Sequence, residues 1–155
     1  MVRSATAHET QTLTVRRKFP VDQQTLYQAW TDPDQVAKWF GPTPEHSVEV
    51  REYELRVGGK YQLAFSKGGE PATDVVAGVF QEISAPERVS YTWAWLPPST
   101  HAGDETLVTV EFIAAGKETE LVLTHDRFTD DEARSSHQQG WGGCLESLAA
   151  HLTAK

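Results

Sequence analysis

Between His46 and Arg127, apolar side chains recur at every second position, segment after segment, with a turn signal after each. A period of two puts alternate residues on opposite faces of an extended chain, so each segment reads as a strand. The clearest case is Val89, Tyr91, Trp93 and Trp95, which alternate with Ser90, Thr92 and Ala94. Tyr61, Leu63 and Phe65 alternate with Lys60, Gln62 and Ala64. Val108, Val110 and Phe112 oppose Thr109 and Glu111, and Leu121, Leu123 and His125 oppose Glu120, Val122 and Thr124. Val48 and Val50 open the series in a strand expected to reach Leu55 after a phase change near Glu52, where a bulge is expected. Val75 to Ile83 is a longer apolar strand. Gly58-Gly59, Gly68-Gly69-Glu70-Pro71, Ala85-Pro86, the polar stretch from Pro97 to Asp104 and Gly116 supply the turns. Strands joined by such short connections pair antiparallel.

The two flanks complete the pattern. Leu13, Val15 and Phe19 alternate with Thr12, Thr14, Arg16 and Lys18, giving a first strand that Pro20 ends. Asp22 offers an N-cap oxygen to a short helix carrying Leu26, Ala29 and Trp30. Asp32 caps a second, with Pro33 at its first position and Val36, Trp39 and Phe40 on its apolar side, before Gly41-Pro42-Thr43-Pro44 stops it. After Thr129 or Asp130 the spacing changes to three and four: Ala133, His137, Trp141, Cys144, Leu145, Leu148 and Leu152 share one helical face. That face must be buried, and the inner face of the sheet is the large partner available. The class is therefore α+β, with about seven antiparallel strands, two short helices after the first of them, and one long C-terminal helix.

Composition removes several functions. The chain carries 14 basic and 22 acidic side chains, a net charge of −8, and its pI is near 5.2. Nucleic-acid binders need a basic face to release counterions, and anionic membrane surfaces attract basic segments, so both partners are excluded. The single cysteine, Cys144, excludes an internal disulfide framework and any multi-cysteine zinc site. The first ten residues lack an apolar run and read as a flexible tail before one domain over 11–155; no stretch has the length of a membrane span, and the expected location is cytoplasmic.

Several pieces, taken in order, resemble one known family: Trp30-Thr31-Asp32-Pro33, Trp39-Phe40-Gly41-Pro42, Arg56-Val57-Gly58-Gly59-Lys60-Tyr61, Gly78-Val79-Phe80-Gln81-Glu82-Ile83, Pro86-Glu87-Arg88-Val89 leading to Thr92-Trp93, then His125, His137 and Gly140-Trp141. Together they resemble the activator-of-heat-shock-protein-90-ATPase homologue family, within the START-like (SRPBCC, birch-pollen-allergen-like) superfamily, over about Thr12 to Leu152. The resemblance implies the helix-grip fold, a curved antiparallel sheet wrapped round the C-terminal helix with a cavity between them. Relatives in the superfamily bind lipids, hormones and polyketides, and some are cyclases or hydrolases. The family name implies a co-chaperone role, although the co-chaperone itself is similar to this chain only in its C-terminal domain.

Five Trp, four Tyr and six Phe either fill a core or line a pocket. With the sheet gripping the helix, the candidate cavity residues are Trp39, Phe40, Tyr61, Phe65, Phe80, Tyr91, Trp93, Phe112, His125, His137, Trp141 and Leu145. A mostly apolar concavity with a few polar groups suits a small apolar or aromatic ligand. Gly140, Gly142 and Gly143 bracket Trp141; they leave room beside it in a continuous helix, or they break the helix. His125 and His137 face inward and could act as acid and base, but no nucleophile or orienting carboxylate accompanies them. Buried structural histidines are expected, no catalytic residue is assigned, and the chain reads more as a binder than as an enzyme. His137 and Cys144 stand too far apart for a shared ion, so no metal or other cofactor is expected. Cys144 reads as a small core residue, Arg56 as a surface ion-pair partner of Glu52 or Glu54, and the protein as a monomer or weak homodimer, with a chaperone as the alternative partner.

Overall fold

The computed structural model describes residues 11–41, 45–67, 70–72, 74–99, 102–103 and 105–153. The expected N-terminal tail, Pro42 to Pro44, Gly68-Gly69 and part of the Pro97–Asp104 loop lie outside the described residues. In chain order the elements are β1 (Gln11–Phe19), α1 (Gln23–Thr31), α2 (Pro33–Trp39), β2 (His46–Tyr53), β3 (Lys60–Lys67), β4 (Asp74–Ser84), β5 (Arg88–Trp95), β6 (Thr106–Ala115), β7 (Glu118–Phe128) and α3 (Asp131–Thr153). All seven strands join one antiparallel sheet in the order β1-β7-β6-β5-β4-β3-β2. Strands β2 to β7 follow one another as hairpins, while β1 pairs with β7 at the far edge. The segment α1–α2 therefore carries the chain from one sheet edge to the other, and α3 returns along the curved inner face.

Local chemistry explains the boundaries. Asp22 Oδ1 accepts the Thr25 amide at 2.8 Å and starts α1. Asp32 closes α1 through its own N–H and opens α2 by accepting the Asp34 amide at 3.0 Å, with Pro33 inside the first turn. Asp130 caps α3, accepting the Glu132 amide at 3.1 Å, and Asp131 and Glu132 lie in the first turn, where the helix dipole favours negative charge.

The expected bulge in β2 lies between Val50 and Glu52. The strand ends at Tyr53 rather than at Leu55, whose side chain is exposed. The chain turns away there because Gly58 takes φ +85° and Gly59 sits against Glu54, where a Cβ would overlap the Glu54 carbonyl oxygen. A second bulge, between Phe80 and Glu82, interrupts β4. Helix α3 is continuous through Gly140, Gly142 and Gly143. Arg56 pairs with Glu54 at 3.5 Å on the surface.

Tyr61, Leu63, Phe65, Phe80, Tyr91, Trp93, Phe112, Leu121, Leu123 and His125 face inward and are buried, while Val15, Val50 and Trp95, which continue the alternation, are half-buried. Trp141, Cys144, Leu145 and Leu148 of α3 meet them. Trp30 of α1 sits at the centre, with ring centroids 6.1 Å from Trp141 and 6.5 Å from Phe112. Gly78 of β4 makes way for a neighbouring ring. Tyr61 lies across it to donate its hydroxyl to the Thr92 carbonyl at 2.5 Å, and a side chain at 78 would occupy that path.

Candidate functional site

The space between sheet and helix is divided. One cavity of about 180 Å3 is lined by Phe40, His46, Phe65, Asp74, Trp93, Trp95, Ser136, His137, Gly140, Trp141 and Cys144. Phe40, Phe65, Trp93, Trp141 and Cys144 are buried and form its floor, while His46, Asp74, Trp95, His137 and Gly140 are half-buried and Ser136 is exposed. A second pocket of about 30 Å3 lies among Trp30, Phe40, Tyr61, Phe80, Tyr91 and Trp93. It is of the order of one or two water positions. Phe40 and Trp93 line both spaces, with ring centroids 6.3 Å apart, and stand as the partition. A groove of about 530 Å3 shares Trp93, Trp95, Ser136 and His137 with the first cavity but is otherwise formed largely by polar surface around Arg127 to Ala133. The cavity of about 180 Å3 is the better candidate because its floor is mostly buried rings, whereas exposed polar side chains make up much of the groove beside Trp93 and Phe128.

The twelve candidate residues separate accordingly. Phe40, Phe65, Trp93, His137 and Trp141 line the main cavity; Tyr61, Phe80 and Tyr91 line the second pocket with Phe40 and Trp93. Trp39, Phe112, His125 and Leu145 line neither and belong to the closed core. Trp39 donates its indole N–H to the Ala29 carbonyl at 2.8 Å, and Phe112 is edge-on to Tyr27. An inward position guarantees burial but not an open neighbour. The residues missed are His46, Asp74, Trp95, Ser136, Gly140 and Cys144. A sequence signal existed for three of them: Ser136, Gly140 and Cys144 recur every four residues, a stripe of small side chains on one helical face opposite large rings. Gly142, in contrast, is exposed, and a Cβ there would meet nothing.

The histidines are held by their partners. Trp141 donates its indole N–H to His125 Nδ1 at 3.0 Å, so the ring proton of neutral His125 must lie on Nε2. Nε2 then donates to Thr106 Oγ1 at 2.6 Å, and Thr106 donates onward to the Trp93 carbonyl at 3.0 Å. Burial, with a smaller contribution from His137, lowers the His125 pKa to about 2. His137 has the opposite tautomer: Trp95 donates to Nε2 at 2.9 Å and Nδ1 donates to the Ala133 carbonyl at 2.7 Å. The rings lie 5.2 Å apart, yet all four nitrogens are committed to protein partners. Such an arrangement positions Trp141 and Trp95; it does not poise a proton for transfer.

The remaining polar groups are equally quiet. Burial raises the hydroxyls of Tyr61 and Tyr91, which therefore remain donors; Tyr91 also accepts the Trp30 indole N–H at 3.2 Å. Burial pushes the Cys144 thiol up to about 12, the reverse of what a nucleophilic cysteine requires. Among the described residues, no group of His, Cys, Asp and Glu could hold a metal ion, and no helix is long and apolar enough to cross a membrane.

Comparison with known proteins decides the family. The model of the family described as "Activator of Hsp90 ATPase homolog 1-like protein" matches residues 20–153. The chain belongs to this family. No curated protein matches the chain significantly. Among solved structures, protein CV1439 from Chromobacterium violaceum superposes with a TM-score of 0.82 at 23% identity, over 93% of this chain and 98% of that one. A protein from Arthrobacter aurescens gives a TM-score of 0.80 at 19% identity, over 93% and 87%. The AHSA1 protein SPO3351 from Silicibacter pomeroyi gives 0.80 at 26% identity, over 92% and 97%. The family member described here thus has the seven-stranded helix-grip architecture of those proteins.

Proposed function

We propose that this START-like domain binds a small hydrophobic or aromatic ligand between the sheet and the C-terminal helix. The observation that carries the reading is the cavity of about 180 Å3 with Phe40, Phe65, Trp93 and Trp141 at its floor. Its size narrows the ligand. A cavity of about 150 Å3 holds one benzene, whereas drug-sized ligands occupy about 300 Å3 or more. One ring with a short substituent therefore fits, and an acyl chain or a fused polyketide does not without movement of the lining. Affinity would come from burial and ring contact, reduced by the cost of ordering the ligand.

An enzyme built on His125 and His137 gains no support from rings whose nitrogens are already engaged. The chaperone reading rests on the family description alone. The exposed apolar residues Leu55 and Val57 lie in the β2–β3 turn, and Ile113 lies on β6, so β4 and β5 separate them and they do not form one patch. Titration of the protein with a panel of single-ring aromatics, followed by tryptophan fluorescence, tests the ligand reading. Saturable quenching that Cys144→Leu abolishes is expected. A panel without any saturable binder would overturn it.

A further inference from the structure

Phe40 and Trp93 line both the cavity of about 180 Å3 and the pocket of about 30 Å3; every other lining residue belongs to one space or the other. The two partition residues are not equivalent. Trp93 belongs to the interior strand β5, its carbonyl accepts the Thr106 hydroxyl at 3.0 Å, and its ring packs on Trp95, Trp141 and His125 with centroids 5.6, 5.0 and 5.8 Å away. Removing that ring would disturb the centre of the sheet. Phe40 instead follows the last turn of α2, with extended backbone and its N–H on the Val36 carbonyl at 3.0 Å. Its side chain is buried and carries no polar atom, so shortening it leaves no hydrogen bond unmade. Its ring borders Phe65 and Trp141 on the cavity side, at 6.0 and 5.7 Å, and Trp30 on the pocket side, at 6.2 Å.

We propose that Phe40 is the specificity-determining residue of this cavity: its ring divides what would otherwise be a two-ring site and so restricts the ligand to a single ring. The inference rests on the ligand-binding reading above and names the residue behind the size limit. With the phenyl ring gone, the cavity, the pocket and the ring's own volume become one apolar space approaching about 300 Å3, where drug-sized ligands begin. That space runs from Phe65 and Trp141 at one end to Phe80 and Tyr91 at the other. A packed interior relaxes only partially around a deleted side chain, so the lost ring leaves a void rather than a closed wall. A fused second ring then fits where the phenyl lay.

Phenol and 2-naphthol carry the same hydroxyl and differ by one fused ring. Their dissociation constants are measured by calorimetry with the full chain and with Phe40→Ala. In the wild type phenol should bind, and 2-naphthol should gain nothing from its second ring. In F40A the affinity of 2-naphthol relative to phenol should rise about tenfold, the gain from burying on the order of 50 Å2 of additional apolar surface. A relative affinity unchanged by F40A, or a wild type that already prefers 2-naphthol about tenfold, would overturn the proposal while leaving ligand binding intact. Failure of both probes to bind either protein would overturn the ligand reading itself. If F40A does not fold, the wild-type protein decides. Its bound phenol should show nuclear Overhauser contacts to the Phe65 ring and none to that of Phe80, which lines only the space beyond Phe40. Contacts to Phe80 refute the partition.

Discussion

The burial of His125 makes the stability of the fold depend on pH in a calculable way. In the unfolded chain its imidazole titrates near the ordinary 6.5; in the fold, burial first and His137 second hold it at about 2. Below pH 6.5 the unfolded state therefore binds a proton that the folded state refuses. The sign follows: the contribution is complete above pH 6.5, and stability falls progressively as pH drops from 6.5 towards 2. Each pH unit in that window costs about 1.4 kcal/mol, so lowering the pH from 7.5 to 5.0 removes about 2 kcal/mol through this residue alone. The figure at pH 5.0 requires only that the folded ring stays neutral there, which its three-membered chain from Trp141 through His125 to Thr106 enforces. Urea unfolding at both pH values, on wild type and on His125→Asn, isolates the effect. The asparagine carbonyl can still accept the Trp141 N–H but does not titrate. Wild type should lose about 2 kcal/mol more than the variant, a midpoint difference on the order of 1 M urea. Equal losses in the two proteins would refute the argument. So would a His125 carbon-bound ring proton that titrates above pH 5 in the folded wild type.

Two glycine substitutions should act in opposite directions. Gly78→Ala places a Cβ over the Thr92 carbonyl and 2.6 Å from Tyr61 Cε2, and should cost about 3 kcal/mol or abolish folding, read as thermal midpoint. Gly142→Ala meets nothing in the middle of α3 and should gain up to about 1 kcal/mol in the same assay. Asp32→Ala removes the acceptor of the Asp34 amide and should cost about 1 kcal/mol in urea unfolding. Cys144 should resist a disulfide reagent at pH 8 in the folded protein and react fully in guanidinium, because burial holds its pKa at about 12; rapid labelling of native protein would contradict that assignment.

The parts of this fold legible from sequence are those that a local period or a single side chain determines. Alternation such as Val89-Tyr91-Trp93 requires one buried face whatever lies opposite, and Asp32-Pro33 ends one helix and begins another through bonds within a few residues. Leu55 shows the limit. It continues the period of β2 after the bulge, yet Gly58 and Gly59 turn the chain before Leu55 can pair, and that turn is fixed by packing against Glu54. The site is less legible for a related reason. Phe112 and Phe65 both point inward from the sheet. Phe112 meets Tyr27 and Trp30 on α1, whereas Phe65 looks towards the narrow part of α3. Which of two inward rings borders open space depends on the residue opposite, and one strand does not contain that information.

The cavity consequently owes its position to absence of bulk on the helix as much as to rings on the sheet. Along α3, Ser136, Gly140 and Cys144 present a hydroxymethyl group, a hydrogen and a thiol at successive turns, while Trp141 and Leu145 beside them fill their share of the interior. The indole of Trp141 cannot swing into the gap without abandoning His125 Nδ1, and that of Trp95 cannot without abandoning His137 Nε2. Each histidine would then be left with an unsatisfied nitrogen, at a cost of about 1–3 kcal/mol where the group is buried. The two histidines that resemble a catalytic pair thus accept the indole N–H groups of two tryptophans that line the cavity and fix the orientation of those rings. Trp93, packed between them with ring centroids 5.6 Å from Trp95 and 5.0 Å from Trp141, has no such tether on its N–H and is held by ring packing alone.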